Sequence, residues 1–423
     1  MTFARLSSRL GPTLEALRRR APLVVTATAV IAWGAFLVTM ADFRWGGEIR
    51  TYVCLGDEFY HPAALDDVPR VGVSGYDGQY YAALATDPLF FKNDTSKALD
   101  APSYRARRVM ISFLAWVLAL GMPVSAVYLY QLLCWGLAAL AVYLVARWLA
   151  DDGHSPWWAY LLAVGAGMAT SVLRTTPDPG ALALVLLALW LHRDGRFPLA
   201  LVTACAAVMA RETSYLVAVA IAIAEARQRR FVRAAAFLLL PVALFSLWQL
   251  NLMRLFHGSF MEGGGNFSVP FIWLGHKVAS AFGAAHGVRW AEVVGLLAIL
   301  ASCVATLLPL TRPSSLSAPE LTLVLFGVMG IFLSYAVYVE VWAYSRVLIV
   351  VPFLALLVAE RQDRAWRRWA LRSVPILYAV IGLLVVVGEV RYALADHAPR
   401  PIKRVAAQLS GSPAPAPQAP VRP

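Results

Sequence analysis

The chain is divided into long apolar blocks by short basic loops, and that alternation decides most of what it can fold into. The blocks run 22–41, 124–149, 155–172, 179–192, 197–210, 213–227, 234–252, 291–310, 321–339, 346–359 and 374–391, each closed by charges, proline or glycine. A bilayer core is about 30 Å thick and a helix rises about 1.5 Å per residue, so a crossing needs roughly 20 apolar residues. Only 15% of the 423 residues are charged and 60% are hydrophobic, whereas about 25% of a soluble domain is charged. Apolar surface in separated blocks faces lipid rather than filling one core. The pattern predicts an all-α polytopic membrane protein with about eleven transmembrane helices. A twelfth stretch, 109–120, is too short to span. It reads as a re-entrant or surface helix ending at Gly121-Met122-Pro123.

The net charge of +12 sits between the apolar blocks, which points to membrane orientation and away from nucleic acid. Placing the N-terminus and Arg18-Arg19-Arg20 in the cytoplasm makes 150–154, 193–196, 228–233, 311–320 and 360–373 cytoplasmic loops. Arginines cluster at or beside nearly all of them. Counting 109–120 as a span would reverse this. The exoplasmic side then receives the large 42–123 loop, the 253–290 loop, and a 392–423 tail expected to be disordered through its Ser412-Pro413-Ala414-Pro415 run. The single transmembrane domain is 1–391. The basic start resembles a signal peptide, but the run from Pro22 to Met40 is too long and Asp42-Phe43-Arg44 is no small-residue cleavage site. It reads as a retained first helix. Cys54, Cys134, Cys205 and Cys303 have no paired spacing, and His61, His257, His276 and His286 have no metal-ligand spacing. No cofactor follows from these patterns, and a divalent metal is left open.

Several blocks of about 14 residues would cover only roughly 21 Å. Asp178, Arg211, Glu212, Tyr344 and Arg346 lie at their ends, at one expected depth. They either line a cavity open to the exoplasm or sit at the interface. For Asp178 the alternative is a helix cap, and for Arg211-Glu212 a mutual ion pair.

The first exoplasmic loop carries two acidic motifs. One is Gly56-Asp57-Glu58-Phe59-Tyr60-His61-Pro62, and the other is Gly75-Tyr76-Asp77-Gly78-Gln79-Tyr80-Tyr81, with a short helix expected over 77–85. A carboxylate can act as a general base and aromatic faces can stack on sugar rings. An Asx turn with interfacial tyrosines is the plainer alternative. Gly78 would let the backbone approach a substrate, and the loop is expected to lie outside the packed helices. Arg105, Arg107 and Arg108 precede the surface helix, facing either a substrate phosphate or bulk anionic lipid. Gly263-Gly264-Gly265 in the second large loop reads as a connector or an acceptor-side gate.

One helix, a large acidic loop, a surface helix and then many helices: this order resembles the GT-C superfamily of membrane glycosyltransferases. Gly75-Tyr76-Asp77-Gly78-Gln79-Tyr80-Tyr81 is similar to the Trp-Asp-Gly type motif of GPI-mannosyltransferase-like bacterial members. Asp57-Glu58 is similar to the Asp-Glu pair of protein O-mannosyltransferases and lipid A aminoarabinose transferases. Asp100 to Arg108, Ala210-Arg211-Glu212-Thr213 and Tyr344-Ser345-Arg346 resemble segments of bacterial GT-C-like proteins. The residue before Asp77 is Tyr rather than Trp, and two acidic candidates compete for one role. The resemblance implies an inverting glycosyltransferase in the bacterial inner membrane. It would move a sugar from a polyprenyl-phosphate donor to a glycan, lipid or protein acceptor at the exoplasmic face. It implies Asp77, or Asp57 and Glu58, as catalytic, and Arg105, Arg108, Arg211 and Arg346 on the donor phosphate. Tyr76, Gln79, Tyr80, Tyr81, Asp178, Glu212 and Tyr344 would line the substrate. A transporter or flippase of lipid-linked glycans is the alternative, though it would show repeated halves and charges inside spans.

Overall fold

The computed structural model describes residues 3–92, 94–257, 264–282, 290–312 and 316–397. Helices fill it, and among the described residues the backbone makes only isolated bridges in place of strands. Among the described residues five helices are long and apolar enough to cross a membrane: Arg20–Trp45, Pro123–Asp151, Phe231–Phe256, Trp290–Leu310 and Ala365–Ala395. Two bent pairs raise the number to at most seven, Pro156–Ala163 with Ala166–Leu173 and Val341–Val347 with Val350–Ala359. These are the helices of a polytopic membrane protein, but eleven full-length crossings are not what the described residues hold.

The shortfall has local causes. Helix Asp178–Arg193 has 16 residues, Phe197–Ala210 has 14 and Tyr215–Arg227 has 13, so each covers only about 20–24 Å. The expected 321–339 span stops at Ile331, because the chain beyond turns aside to pair backbone groups. Ser268 donates to the Phe332 carbonyl at 2.8 Å and Ser334 to the Asn266 carbonyl at 2.8 Å. The expected 346–359 helix is broken by 61° between Val347 and Val350. Pro352 lies in the first turn of the second piece, where it cannot donate to the preceding turn and crowds it. Arg346 therefore sits in the short Val341–Val347 helix rather than at the head of the longer one.

The 109–120 stretch forms a helix over Met110–Leu118 and Pro123 starts the next, as proline suits a first helical turn. The last helix runs to His397, past the expected end of the transmembrane domain at 391. The rest of the tail, 398–423, lies outside the described residues, as do 258–263 and 283–289 of the second large loop and 313–315 of the 311–320 loop.

Two ends of the bundle are chemically distinct. At one end Asp152 accepts from Arg193 at 2.5 Å and from Arg361 at 3.5 Å, while Arg312 reaches Asp363 at 3.2 Å. These pairs gather the loops that the sequence assigns to one side. The other end of helix Asp178–Arg193 begins at the buried Asp178. There the first loop is built into the body rather than lying outside it. Its helix Gly78–Thr86 is buried along its whole length, packed with Val53, Leu55, Ala106, Ile111 and Tyr130.

Candidate active site

The two acidic motifs fold into one unit by backbone contact. Tyr76 donates its N–H to the Cys54 carbonyl at 2.9 Å, and Asp57 and Glu58 donate theirs to the Gly72 and Val73 carbonyls at 3.3 and 3.0 Å. Gly56 and Gly75 pass so closely that a Cβ on Gly56 would lie 2.4 Å from the Gly75 nitrogen. Gln79 sits across this seam. Its Oε1 accepts from the Gly56 N–H at 3.0 Å and its Nε2 donates to the Ser74 carbonyl at 3.0 Å. Buried and satisfied, it holds the two motifs together instead of lining the charged site. Gly78 also has a different role from the one the sequence suggested. A Cβ there would lie 2.1 Å from the Arg174 carbonyl oxygen, so its close approach is to the chain's own backbone.

From this unit Asp77 faces a cluster of arginines. Arg105 donates to its Oδ1 at 3.0 Å and Arg346 to its Oδ2 at 2.6 Å. Arg346 also donates through Nε to Asp178 Oδ2 at 3.0 Å, and Arg211 pairs with the other Asp178 oxygen. Thr176 donates to Asp178 at 2.7 Å. Arg108 grips Glu212 with two hydrogen bonds at 2.9 and 2.7 Å and reaches the Tyr81 and Tyr104 hydroxyls at 3.2 and 3.1 Å. Arg105 holds Asp100 in the same two-pronged way, at 2.8 Å twice, and lies 4.4 Å from the Tyr80 ring centre. Arg346 lies 5.0 Å from the Tyr76 ring centre.

Chain segments far apart in sequence thus converge: 76–81, 100–108, 176–178, 211–212 and 346. Of the residues singled out by sequence, Asp77, Arg105, Arg108, Arg211, Arg346, Tyr76, Tyr80, Tyr81, Asp178 and Glu212 come together. Asp57 and Glu58 do not. Their side chains are exposed, and the bonds their residues make here are backbone bonds. Tyr344 does not either. Its ring packs 5.4 Å from Tyr338 and takes the Lys277 ammonium at 5.1 Å. Arg211 and Glu212 do not pair with each other as their adjacency suggested, since each answers a residue from another segment.

Sequence reasoning gave no individual role to Tyr104, Asp100 or Asn266. Asn266 donates to the Tyr104 hydroxyl at 3.1 Å and so brings the glycine-rich second loop to the rim of the cluster. Tyr104 and Asp100 were in view only as part of the Asp100 to Arg108 stretch, and Asn266 only as the neighbour of Gly264-Gly265.

Asp77, Asp100 and Glu212 are each part-exposed, at 27%, 32% and 25%, while Asp178 is closed at 2%; of the three, Asp77 is the one paired with two guanidiniums. Burial pushes its carboxyl upward, but the Arg346 and Arg105 guanidiniums outweigh that and hold it well below the usual carboxylate range. Tyr76 is pushed up by burial, so its phenol stays protonated at neutral pH. Among the described residues no three His, Cys, Asp or Glu side chains converge as metal ligands. No protein-family model matches the chain, and no curated protein sequence matches it either, so the chemistry of the site rests on its own geometry.

Proposed function

We infer that this chain is an inverting glycosyltransferase. It takes a sugar from a polyprenyl-phosphate donor and passes it to a hydroxyl of a glycan, lipid or protein acceptor at the exoplasmic face of the bacterial inner membrane, with its N-terminus cytoplasmic. One observation carries the reading: a part-exposed carboxylate, Asp77, sits between two guanidiniums and beside the Tyr76 and Tyr80 rings. Transfer from a lipid phosphate needs a base for the acceptor proton, cations for the leaving phosphate, and faces for the sugar to lie against. Arginine suits phosphate because its planar fork binds two oxygens at once.

In a single displacement the acceptor oxygen bonds to the anomeric carbon as the bond from that carbon to the phosphate oxygen breaks. The electron pair leaves with the lipid phosphate, and the hydroxyl proton passes to Asp77. A carboxylate held by two guanidiniums is a weak base, so the resting ion pairs would work against this step. A phosphate arriving on Arg105 and Arg346 competes for those hydrogen bonds, and the proton affinity of Asp77 then rises in the loaded site. Arg211 and Arg108, tied to Asp178 and Glu212, keep the walls of the site in place.

Purified protein, supplied with a set of polyprenyl-phosphate sugars and envelope acceptors, tests this directly. Asp77→Asn should lower transfer roughly 100-fold or more while the donor still binds. Wild-type transfer by the variant removes the base assignment. Mass spectrometry of envelope glycans with and without the gene names the sugar, and unchanged glycans would overturn the whole reading.

A further inference from the structure

Beside the Asp77 cluster lies a cavity of about 630 Å³ that none of the site chemistry above uses. Its size is ordinary for a small-molecule site. One end is polar and level with helix termini. Arg44 and Trp45 close the first crossing helix, Arg174 follows Ala166–Leu173, Glu340 precedes Val341–Val347, and Glu389 lies near the end of the last helix. The charged part of this wall is two guanidiniums, Arg44 and Arg174, and two carboxylates, Glu340 and Glu389, so it carries no net charge. Its cations are already engaged. Arg174 donates to Glu389, while Arg44 lies 3.6 Å from the same carboxylate and within 4.5 and 4.8 Å of the Trp45 and Tyr392 ring centres. A charged head brought against such a wall would lose its water without compensation, so the wall favours a neutral one.

Four aromatic rings line the cavity, and three are in use. Trp45 packs edge-on to Tyr52 at 5.5 Å and takes Arg44, Tyr392 takes Arg44 as well, and Tyr76 lies 5.0 Å from the Arg346 guanidinium and 6.0 Å from that of Arg174. Trp342 is the fourth. It is 37% exposed, and no ring or guanidinium covers it among the described residues. Its indole N–H is donated to Glu340, which fixes the ring beside an exposed carboxylate. A sugar offers C–H groups to an aromatic face and, at its edge, hydroxyls that donate to a carboxylate, so this pair suits it. Away from the polar end the wall is apolar. Ile381, Leu384, Val385 and Gly388 recur at helical spacing, which puts them on one face of the last helix. Leu384 is 42% exposed, so that face continues onto the outside of a membrane-crossing helix. A Cβ on Gly388 would meet nothing within 4 Å, so the cavity is open where its apolar and polar parts join. By contrast, the smaller cavity of about 120 Å³ between the first helix and Pro123–Asp151 holds no charged side chain.

We propose that this cavity binds a neutral lipid with a sugar headgroup, the sugar on the Trp342 face with a hydroxyl to Glu340, and the chains along Ile381, Leu384 and Val385. The site adjoins the Asp77 cluster on two elements. Tyr76 lines the cavity and directly precedes Asp77, and Trp342 lies one helical turn before Arg346 on the same short helix. Binding here needs neither Asp77 nor Arg346. It can be measured in a protein that transfers nothing, so the two readings can fail separately.

The test is native mass spectrometry of the full chain in a detergent that carries no sugar. The protein is titrated with monoglucosyl diacylglycerol, with diacylglycerol and phosphatidic acid of the same chains, and with methyl glucoside. The glucosyl lipid should bind at least about tenfold more tightly than diacylglycerol or phosphatidic acid, and methyl glucoside should not bind measurably. Trp342→Ala should weaken the glucosyl lipid about tenfold and leave diacylglycerol unchanged, whereas Trp342→Phe, which keeps an aromatic face, should recover most of the loss. Gly388→Leu guards against a misfolded Trp342 variant. Its side chain enters open space, so the protein should melt like wild type while the glucosyl lipid is blocked. Equal binding of the glucosyl lipid and diacylglycerol would mark ordinary annular lipid and overturn the proposal. Tighter binding of phosphatidic acid would mark an anion site, and tight binding of methyl glucoside a free-sugar site, and either would overturn it. So would a Trp342→Ala or a Gly388→Leu protein that binds the glucosyl lipid like wild type.

Discussion

Asp77 and Lys277 each sit in an ion pair, and the two pairs are built in opposite ways. Lys277 is wholly buried. It pairs with Glu292 on the neighbouring helix, donates to the Tyr338 carbonyl at 2.9 Å and lies against the Tyr344 ring. Asp77 is reached by solvent and shared between two arginines, one of which is itself shared with Asp178. A dry pair, closed by a carbonyl and a ring, positions helices. An open pair, in which each partner has an alternative, can exchange partners when an anion arrives. Exposure and sharing, more than the presence of charge, separate the group expected to act from the group expected to hold.

The largest effect should come from breaking the closed pair on one side. Lys277→Met leaves Glu292 buried without its cation, which costs about 3–5 kcal/mol of stability. Replacing both partners, Lys277→Met with Glu292→Leu, should restore most of that loss in a thermal melt. If the single substitution melts like wild type, the pair is not the lock described here and the contrast with Asp77 collapses.

The open pair should separate activity from stability. Asp77→Asn removes the transfer step but should lower the melting temperature less than Lys277→Met, because the amide oxygen still accepts from one guanidinium and Arg105 and Arg346 keep Asp100 and Asp178. It should not be silent in stability, since helix Gly78–Thr86 behind it is fully buried. Acid sharpens the point. The two guanidiniums hold the Asp77 carboxyl below its unfolded value of about 4. Its contribution to stability is therefore complete above that pH and lost as pH falls from there through the native value. Titrating the melting temperature from pH 6 to pH 3 should show a shallower acid limb in Asp77→Asn. Superimposable limbs would mean that the native carboxyl is not held down.

Arg346→Lys should act more mildly. The guanidinium bridges Asp77 and Asp178 through two different nitrogens, and one ammonium cannot reproduce that planar fork. Donor affinity should fall about tenfold with a modest loss of stability. An unchanged affinity would leave Arg346 as a structural tie between two carboxylates, closer in kind to Lys277 than to Asp77.

The membrane class and the short helix within 109–120 were legible because lipid writes itself into composition over tens of residues. Asp77, Arg105, Arg211 and Arg346 were legible as charges at odd positions, since a charge at a short helix end needs a reason. Their partners were not. Arg211 and Glu212 look like a pair in sequence, yet the fold gives them to Asp178 and Arg108, and only tertiary packing sets that exchange. The breaks at Ile331 and Val347 were hidden for a similar reason. A continuous apolar run carries no mark of backbone pairing to a distant loop, and Pro352 reads equally well as a kink or a start. Gly78 was noticed for the wrong contact: sequence shows that backbone comes close, not whose.

The smallest expected effect belongs to the rival motif. Asp57 and Glu58 share a folded unit with Asp77, since their N–H groups donate to Gly72 and Val73 and Gln79 bridges Gly56 to Ser74. Those bonds are made by backbone and by a neighbour, so changing the Asp57 carboxylate leaves them intact. The side chain is exposed and takes no part in the arginine cluster. Asp57→Asn should keep transfer within about twofold of wild type, since a solvent-exposed substitution away from packed or paired groups usually changes little. The same substitution also tests the comparison at its weakest point. Asp57 is open, as Asp77 is, but it is not shared between cations. A tenfold loss of transfer in Asp57→Asn would show that exposure alone, without the flanking guanidiniums, identifies the acting carboxylate, and it would move the base into the Gly56-Asp57-Glu58 motif.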